Sequence, residues 1–259
     1  MSTTLFDHRK SALHRLNPVT KLIALLAIIV TVFAIPVWWV AGLIVAFVVV
    51  PAAAISRSGG RLLRLSLKIL LPIIIVLFIV QGLTFPGGKT IIWQWGIIDV
   101  TSEGLLFALG IGSRIVVLVL ASILLVLTTH PGDLMSALTE RGMSPKFAYI
   151  ISSTLQLIPA FRERADSILL AQQSRGLSLK GSPFRRIKVM LPLLSPLVLG
   201  MFTDVEERST AMEARAFGST AKRTSLIPVP DSMVQRIARW LLILAALAAV
   251  ATPIALGLL

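Results

Sequence analysis

Apolar residues fall in long runs separated by short charged or proline-containing breaks. A helix that crosses roughly 30 Å of hydrocarbon needs about 20 largely apolar residues. Runs that meet this lie at 19–35, 37–55, 65–84, 104–128 and 237–258, and they predict five membrane-spanning helices. Ile35-Pro36 parts the first two and is followed by Trp38 and Trp39. Proline breaks a helix and tryptophan favours the water–lipid boundary, so a tight hairpin is expected there. The first apolar run leads straight into the second with no small-residue cleavage site between them, so no removable signal peptide is read.

Charge then orients the spans. Arg9, Lys10, Arg15 and Lys21 precede the first, and Arg57, Arg61, Arg64 and Lys68 lie between the second and third. Basic short loops stay in the cytoplasm, which puts both regions inside. The turn between spans one and two is uncharged, and Gly82 to Glu103 sets Lys89 against Asp99 and Glu103, with Trp93 and Trp95 as interface anchors. Those two regions are expected outside. The N-terminus is then cytoplasmic, span four returns the chain to the cytoplasm near His130, and the C-terminus is external. Arg114 lies within or near the start of span four. It is read as snorkelling to the outer interface or pairing with Asp99 or Glu103, and Gly104, Gly110 and Gly112 as points of close helix approach.

The pattern changes between Thr129 and Gln235. Thirteen basic residues fall here: Arg141, Lys146, Arg162, Arg164, Arg175, Lys180, Arg185, Arg186, Lys188, Arg208, Arg215, Lys222 and Arg223. Apolar positions nevertheless recur at helical spacing, so this is an ordered cytoplasmic region. Phe147, Ile150, Ile151, Leu155 and Ile158 mark one amphipathic helix, and Pro159 is expected to begin a second that runs from Ala160 to a stop at Ser174 to Gly176. The apolar run 187–202 is short and carries Lys188, Pro192 and Pro196, so it reads as buried or interfacial rather than spanning. Thr203 to Ala216 is expected to form a separate helix with Asp204, Glu206 and Glu207 in its first turn, where carboxylates suit the helix dipole, and with Gly218 available as its stop.

Two similar helix ends result, Ala171-Gln172-Gln173-Ser174-Arg175-Gly176 and Ala211-Met212-Glu213-Ala214-Arg215-Ala216-Phe217-Gly218. One arginine near a helix C-terminus can simply complement the dipole. Two on one side of a membrane suit a dimeric partner that offers the same groove twice, with guanidinium groups bonding to its carboxylates or carbonyls.

Composition narrows the chemistry. With 56% hydrophobic and 14% charged residues and a mean hydropathy of +0.88, the chain is too apolar for an ordinary soluble globule. The net charge of +13 is explained by cytoplasmic basic loops facing anionic headgroups of the lipid bilayer, so no nucleic acid partner is inferred. The absence of cysteine removes disulfides, thiolate nucleophiles and thiolate metal sites. Gly88-Lys89-Thr90 lacks the glycine that a phosphate-binding loop needs at position 83, which is Leu83. His8, His14 and His130 have no ligand spacing. No cofactor, metal site or catalytic residue is assigned.

At the two arginine ends the sequence resembles the transmembrane coupling subunit of energy-coupling factor transporters, the EcfT family that includes the CbiQ proteins. Leu16-Asn17-Pro18-Val19-Thr20-Lys21 also resembles that family's opening, and the likeness spans nearly the whole chain. It implies an all-α polytopic membrane protein: helices one to four in 1–129, cytoplasmic coupling helices in 130–235, and a last span in 236–259. It implies two ABC-type ATPase subunits, the same or different, docked at Ser174, Arg175, Gly176 and at Ala214, Arg215, Ala216. It further implies a separate substrate-binding membrane subunit, uptake of a vitamin, vitamin precursor or metal ion across a prokaryotic cell membrane, and no bond chemistry on this chain. Neither motif is the family's literal Ala-Arg-Gly, and Ala216 resists the left-handed turn that glycine accepts, with Gly218 nearby to serve instead. Two alternatives stand beside this reading: a conventional ABC-type permease with its own substrate path, and a membrane-bound enzyme built on Asp204, Glu206 and Glu207.

Overall fold

The computed structural model describes Ser11, 13–35, 37–56, 58–85, 90–95, 98–177, 183–219 and 230–255, with side chains left aside at 91–100, 183–192, 254 and 255. Expectations resting on His8, Arg9, Lys10, Pro36, Arg57, Gly88, Lys89, Lys180, Lys222 and Arg223 fall outside the described residues. So do those resting on the side chains of Trp93, Trp95, Asp99, Arg185, Arg186 and Lys188. The chain forms two units, residues 1–137 with 229–259, and residues 138–228.

The first unit holds the apolar helices: α1 (Pro18–Ala34), α2 (Trp38–Ile44), a π-helical turn (Val45–Val49), α3 (Val50–Ile55), α4 (Gly59–Thr84) and α5 (Ser102–Thr128). A short helix, α6 (Pro131–Thr139), follows α5, and the C-terminal helix α9 (Met233–Ala255) completes the unit. Trp38–Ile55, α4, α5 and Met233–Pro253 are long and apolar enough to span a bilayer, and α1 is a shorter apolar helix. These five match the five runs, and the protein is an all-α polytopic membrane protein. One two-stranded antiparallel hairpin, β1 (Ile91–Trp95) against β2 (Ile98–Thr101), sits in the loop before α5. The second run is less regular than expected because Pro51 has no N–H for the carbonyl of Phe47; the helix widens just before it, and the Val50 N–H reaches back five residues to Val45.

α5 lies at the centre of this unit, packing on α4, α1 and α2. Its Val117 joins Val32 and Ala41, and its Leu127 joins Val49, Ala53 and Leu62. A β-carbon on Gly104 would come within 2.4 Å of the Gln81 carbonyl, and one on Gly112 within 3.3 Å of Ile74, so both glycines permit the α4–α5 approach. Gly110 faces open space and does not. Arg114 falls near the midpoint of α5 rather than at its start. Glu103 accepts hydrogen bonds from Thr90 and Ser102, and among the described residues no ion pair joins it to Arg114.

The Leu16 to Lys21 motif fastens α9 to α1. The Asn17 side chain caps α1 by accepting the Val19 N–H at 3.0 Å, while its own backbone N–H donates to Gln235 Oε1 and its amide to the Pro230 carbonyl. Arg239 is buried and therefore needs charge neutralisation. It gives a two-pronged pair to Asp231 at 2.8 and 2.9 Å and bonds Thr20 Oγ1 at 3.0 Å. Lys21 donates to the Thr128 carbonyl at 2.7 Å, serving one of the last-turn carbonyls of α5 that have no partner within the helix.

The second unit is built on two long helices, α7 (Pro145–Ser174) and α8 (Pro183–Ala214). Two expected breaks do not occur. α7 runs through Pro159, because Leu157, Phe161, Arg164 and Ile168 remain on its less exposed face across the proline. α8 runs through Pro192 and Pro196, so the expected separate helix beginning at Thr203 does not form. Asp204, Glu206 and Glu207 then lie well inside a helix, far from any N-terminal dipole.

Candidate functional site

α7 ends in a closed hydrogen-bonded turn. The Gly176 N–H bonds the Gln173 carbonyl at 3.0 Å and the Leu177 N–H reaches the Gln172 carbonyl at 3.0 Å. Together these form a Schellman cap with Arg175 as the C-cap residue. The reversal requires a left-handed residue directly after the cap, and Gly176 supplies it at φ +92°. A β-carbon at Gly176 would meet nothing within 4 Å, so glycine is needed there for its backbone rather than for space.

α8 ends in the same way. The Ala216 N–H bonds the Glu213 carbonyl at 2.9 Å and the Phe217 N–H the Met212 carbonyl at 2.9 Å, again with the arginine, Arg215, at the cap. Ala216 itself takes the left-handed position at φ +54°. Gly218 does not replace it: it is left-handed too, at φ +98°, but three residues beyond the cap. The geometry in doubt after Arg215 is therefore kept, at a cost of about 1–2 kcal/mol for a non-glycine residue in that region. Both Arg175 and Arg215 are exposed, and among the described residues no hydrogen bond or ion pair engages either guanidinium. Ser174 closes α7 with its hydroxyl donating to the Leu170 carbonyl, and Ala214 is the last residue of α8.

The two helices meet in reversed order. Near the start of α7, Tyr149 packs on Phe217 with ring centroids 5.1 Å apart, and the Lys146 stem lies 3.6 Å from where a β-carbon on Gly218 would stand. Further along, Arg164 forms an ion pair with Asp204 across the pair. Its guanidinium passes over Gly200, where a β-carbon would stand only 3.0 Å from Arg164 Cζ. The acidic group that suggested an enzyme site is thereby divided: Asp204 is turned toward α7, while Glu206 and Glu207 are exposed.

Both helices also carry open apolar positions. Phe147, Ile150 and Ile158 on α7 and Leu199, Phe202 and Val205 on α8 are exposed large hydrophobics. A third arginine end was not singled out from the sequence. Arg141-Gly142-Met143 closes the turn after α6 with the same bonds, Gly142 to Thr139 and Met143 to Leu138, and Gly142 has φ +102°. Its arginine-glycine pair was a visible signal. His14 and His130 are engaged locally, with Ser11 and the Gly132 N–H.

The family described as cobalt transport protein, CbiQ, matches residues 9–226. Among curated proteins, the chain is 34% identical over 225 residues to the energy-coupling factor transporter transmembrane protein EcfT of Acidaminococcus fermentans, covering 83% of each chain. It is 33% identical over 226 residues to the EcfT of Limosilactobacillus fermentum, again covering 83% of each. It is 34% identical over 229 residues to that of Brevibacillus brevis, covering 84% of each.

Proposed function

The chain belongs to the cobalt transport protein (CbiQ) family, and we propose on that premise that it couples ATPase motion to substrate movement through its two arginine-tipped helix ends. It is the multi-pass transmembrane subunit of an energy-coupling factor transporter, a transporter component that works with other subunits. In the proposed arrangement, Arg175 with Ser174 and Gly176 enters a groove on one ABC-type ATPase, and Arg215 with Ala214 and Ala216 enters the matching groove on the other. ATP hydrolysis takes place on those partners, and a separate membrane subunit carries the vitamin, vitamin precursor or metal ion. The N-terminus and the α7–α8 unit are cytoplasmic and the C-terminus is external, a reading supported by the basic residues flanking the spans.

One observation carries the docking proposal. The two long helices of the second unit, α7 and α8, end in the same hydrogen-bonded turn, each with an exposed arginine at its cap position and a left-handed residue next in the chain. A guanidinium at that place extends beyond the helix as a planar five-donor group, suited to carboxylates and carbonyls lining a groove. The test is affinity purification of the tagged chain, co-expressed with its ATPases, as wild type, Arg175→Ala, Arg215→Ala and the double variant. Each single change is expected to weaken ATPase retention and the double change to abolish it, with membrane insertion intact. Unchanged retention in all three variants would refute the proposal.

A further inference from the structure

Arg164 and Asp204 share a relation that their contact alone does not reveal. Arg164 stands eleven residues before Arg175, and Asp204 stands eleven before Arg215. At 3.6 residues per turn, eleven residues make just over three whole turns, so each member of the ion pair lies on nearly the same helix face as the arginine at its own helix end. The distance along the helix is about 16 Å. Because α7 and α8 meet in reversed order, the two ends lie on opposite sides of the pair. The 40-residue offset that aligns the two end motifs also aligns Arg164 with Asp204.

We propose that the Arg164–Asp204 ion pair is the register pin of the α7–α8 unit: it fixes the sliding and rotation of one helix against the other, and so sets the spacing and phase of the two docking arginines. This rests on the docking reading above. Three features support it. The pair joins side chains on two different helices, each only partly exposed, so it restrains one element against the other rather than decorating a surface. Gly200 leaves room for the guanidinium to cross, and a methyl group there would press on Arg164 at 3.0 to 3.2 Å. Near the start of α7 the helices are also joined by Tyr149 with Phe217 and by Lys146 beside Gly218. Further along, at the midpoint between the ends, the pair adds a tie that opposes sliding. Arg164 and Asp204 are thus positioning residues: they touch neither ATPase nor substrate and act through the two helix ends.

The test uses the full chain in lipid nanodiscs and, separately, the assembled transporter. With no native cysteine to remove, Ala171→Cys and Ala211→Cys place nitroxide labels at equivalent exposed positions one turn before the two ends. Pulsed electron–electron resonance is expected to give a narrow distance distribution with the pair intact. Arg164→Ala or Asp204→Ala should broaden or shift it, Gly200→Ala should shift it less, and the exchanged double variant Arg164→Asp with Asp204→Arg should restore it. In the assembled transporter, the single variants should keep their ATPases but lose about fivefold or more in substrate uptake per ATP hydrolysed, with the exchanged variant recovering most of it. Unchanged distances and unchanged uptake per ATP in both single variants would overturn the proposal. So would an exchanged variant as defective as the singles, which would assign the effect to packing. The distance measurement needs no ATPase, so failure of the docking reading would appear separately, as ATPase retention by the Arg175 and Arg215 variants.

Discussion

The two helix ends use one hydrogen-bond pattern with different residues. At the end of α7 the left-handed position is Gly176, which adopts φ +92° without penalty; at the end of α8 it is Ala216, held at φ +54° against its own preference. The second end has something the first lacks. Phe217, in the position that Leu177 takes in the first turn, packs on Tyr149 of α7 and ties the strained turn to the neighbouring helix. The first turn is stable by its own chemistry and the second is held by its surroundings. That contrast teaches that the residue after a shared capping arginine can vary when a tertiary contact compensates.

The largest effect expected from probing this contrast is charge reversal. Arg175→Glu and Arg215→Glu should each reduce ATPase retention by more than the corresponding alanine change, because a like charge would then face the carboxylates proposed to line the groove. Quantitative pull-down measures this: equal losses would mean the two grooves are equivalent, and unequal losses would rank them. Next in size is an exchange at the left-handed position. Gly176→Ala should destabilise the first end by about 1 kcal/mol and Ala216→Gly should stabilise the second by a similar amount, read by hydrogen exchange of the Leu177 and Phe217 amides that close each turn. Smaller again is Phe217→Ala. Loss of its pairing with Tyr149, worth about 0.5–1.5 kcal/mol beyond area burial, should loosen the α8 end while leaving the α7 end unchanged in the same exchange experiment. If Phe217→Ala and Ala216→Gly are combined, the second turn should behave like the first.

The spans could be read from the sequence because an apolar run of the right length has few other uses, and the structure forms helix at all five runs, four of them long and apolar enough to cross a bilayer and the first a shorter apolar helix. The arginine ends were legible for a similar local reason: a helix stop is written in a few adjacent residues, and Arg175-Gly176 is such a stop. Where Pro159 was taken as a boundary the reading failed, since a proline lacks one hydrogen bond but does not end a helix whose faces continue in phase around it, and the helix expected to begin at Thr203 is instead the continuation of one that starts at Pro183. The misplaced start of α8 then carried Asp204 with it. A carboxylate expected to serve its own helix dipole instead meets Arg164 on another helix, a partnership across forty residues that no local pattern encodes. Gly200 was invisible for the same reason, since its role exists only once α7 crosses it. The hairpin at Ile91–Trp95 and Ile98–Thr101 was hidden in what charge alone marked as an external loop.

The most direct measurement of the central claim is site-specific photocrosslinking in the intact membrane, with a photoreactive amino acid placed at Ser174 in one variant and Ala214 in another. The account predicts a crosslink from each position to an ABC-type ATPase subunit, lost when the neighbouring arginine is changed to alanine. Crosslinks from both positions to lipid or to other membrane subunits, with none to an ATPase, would contradict it.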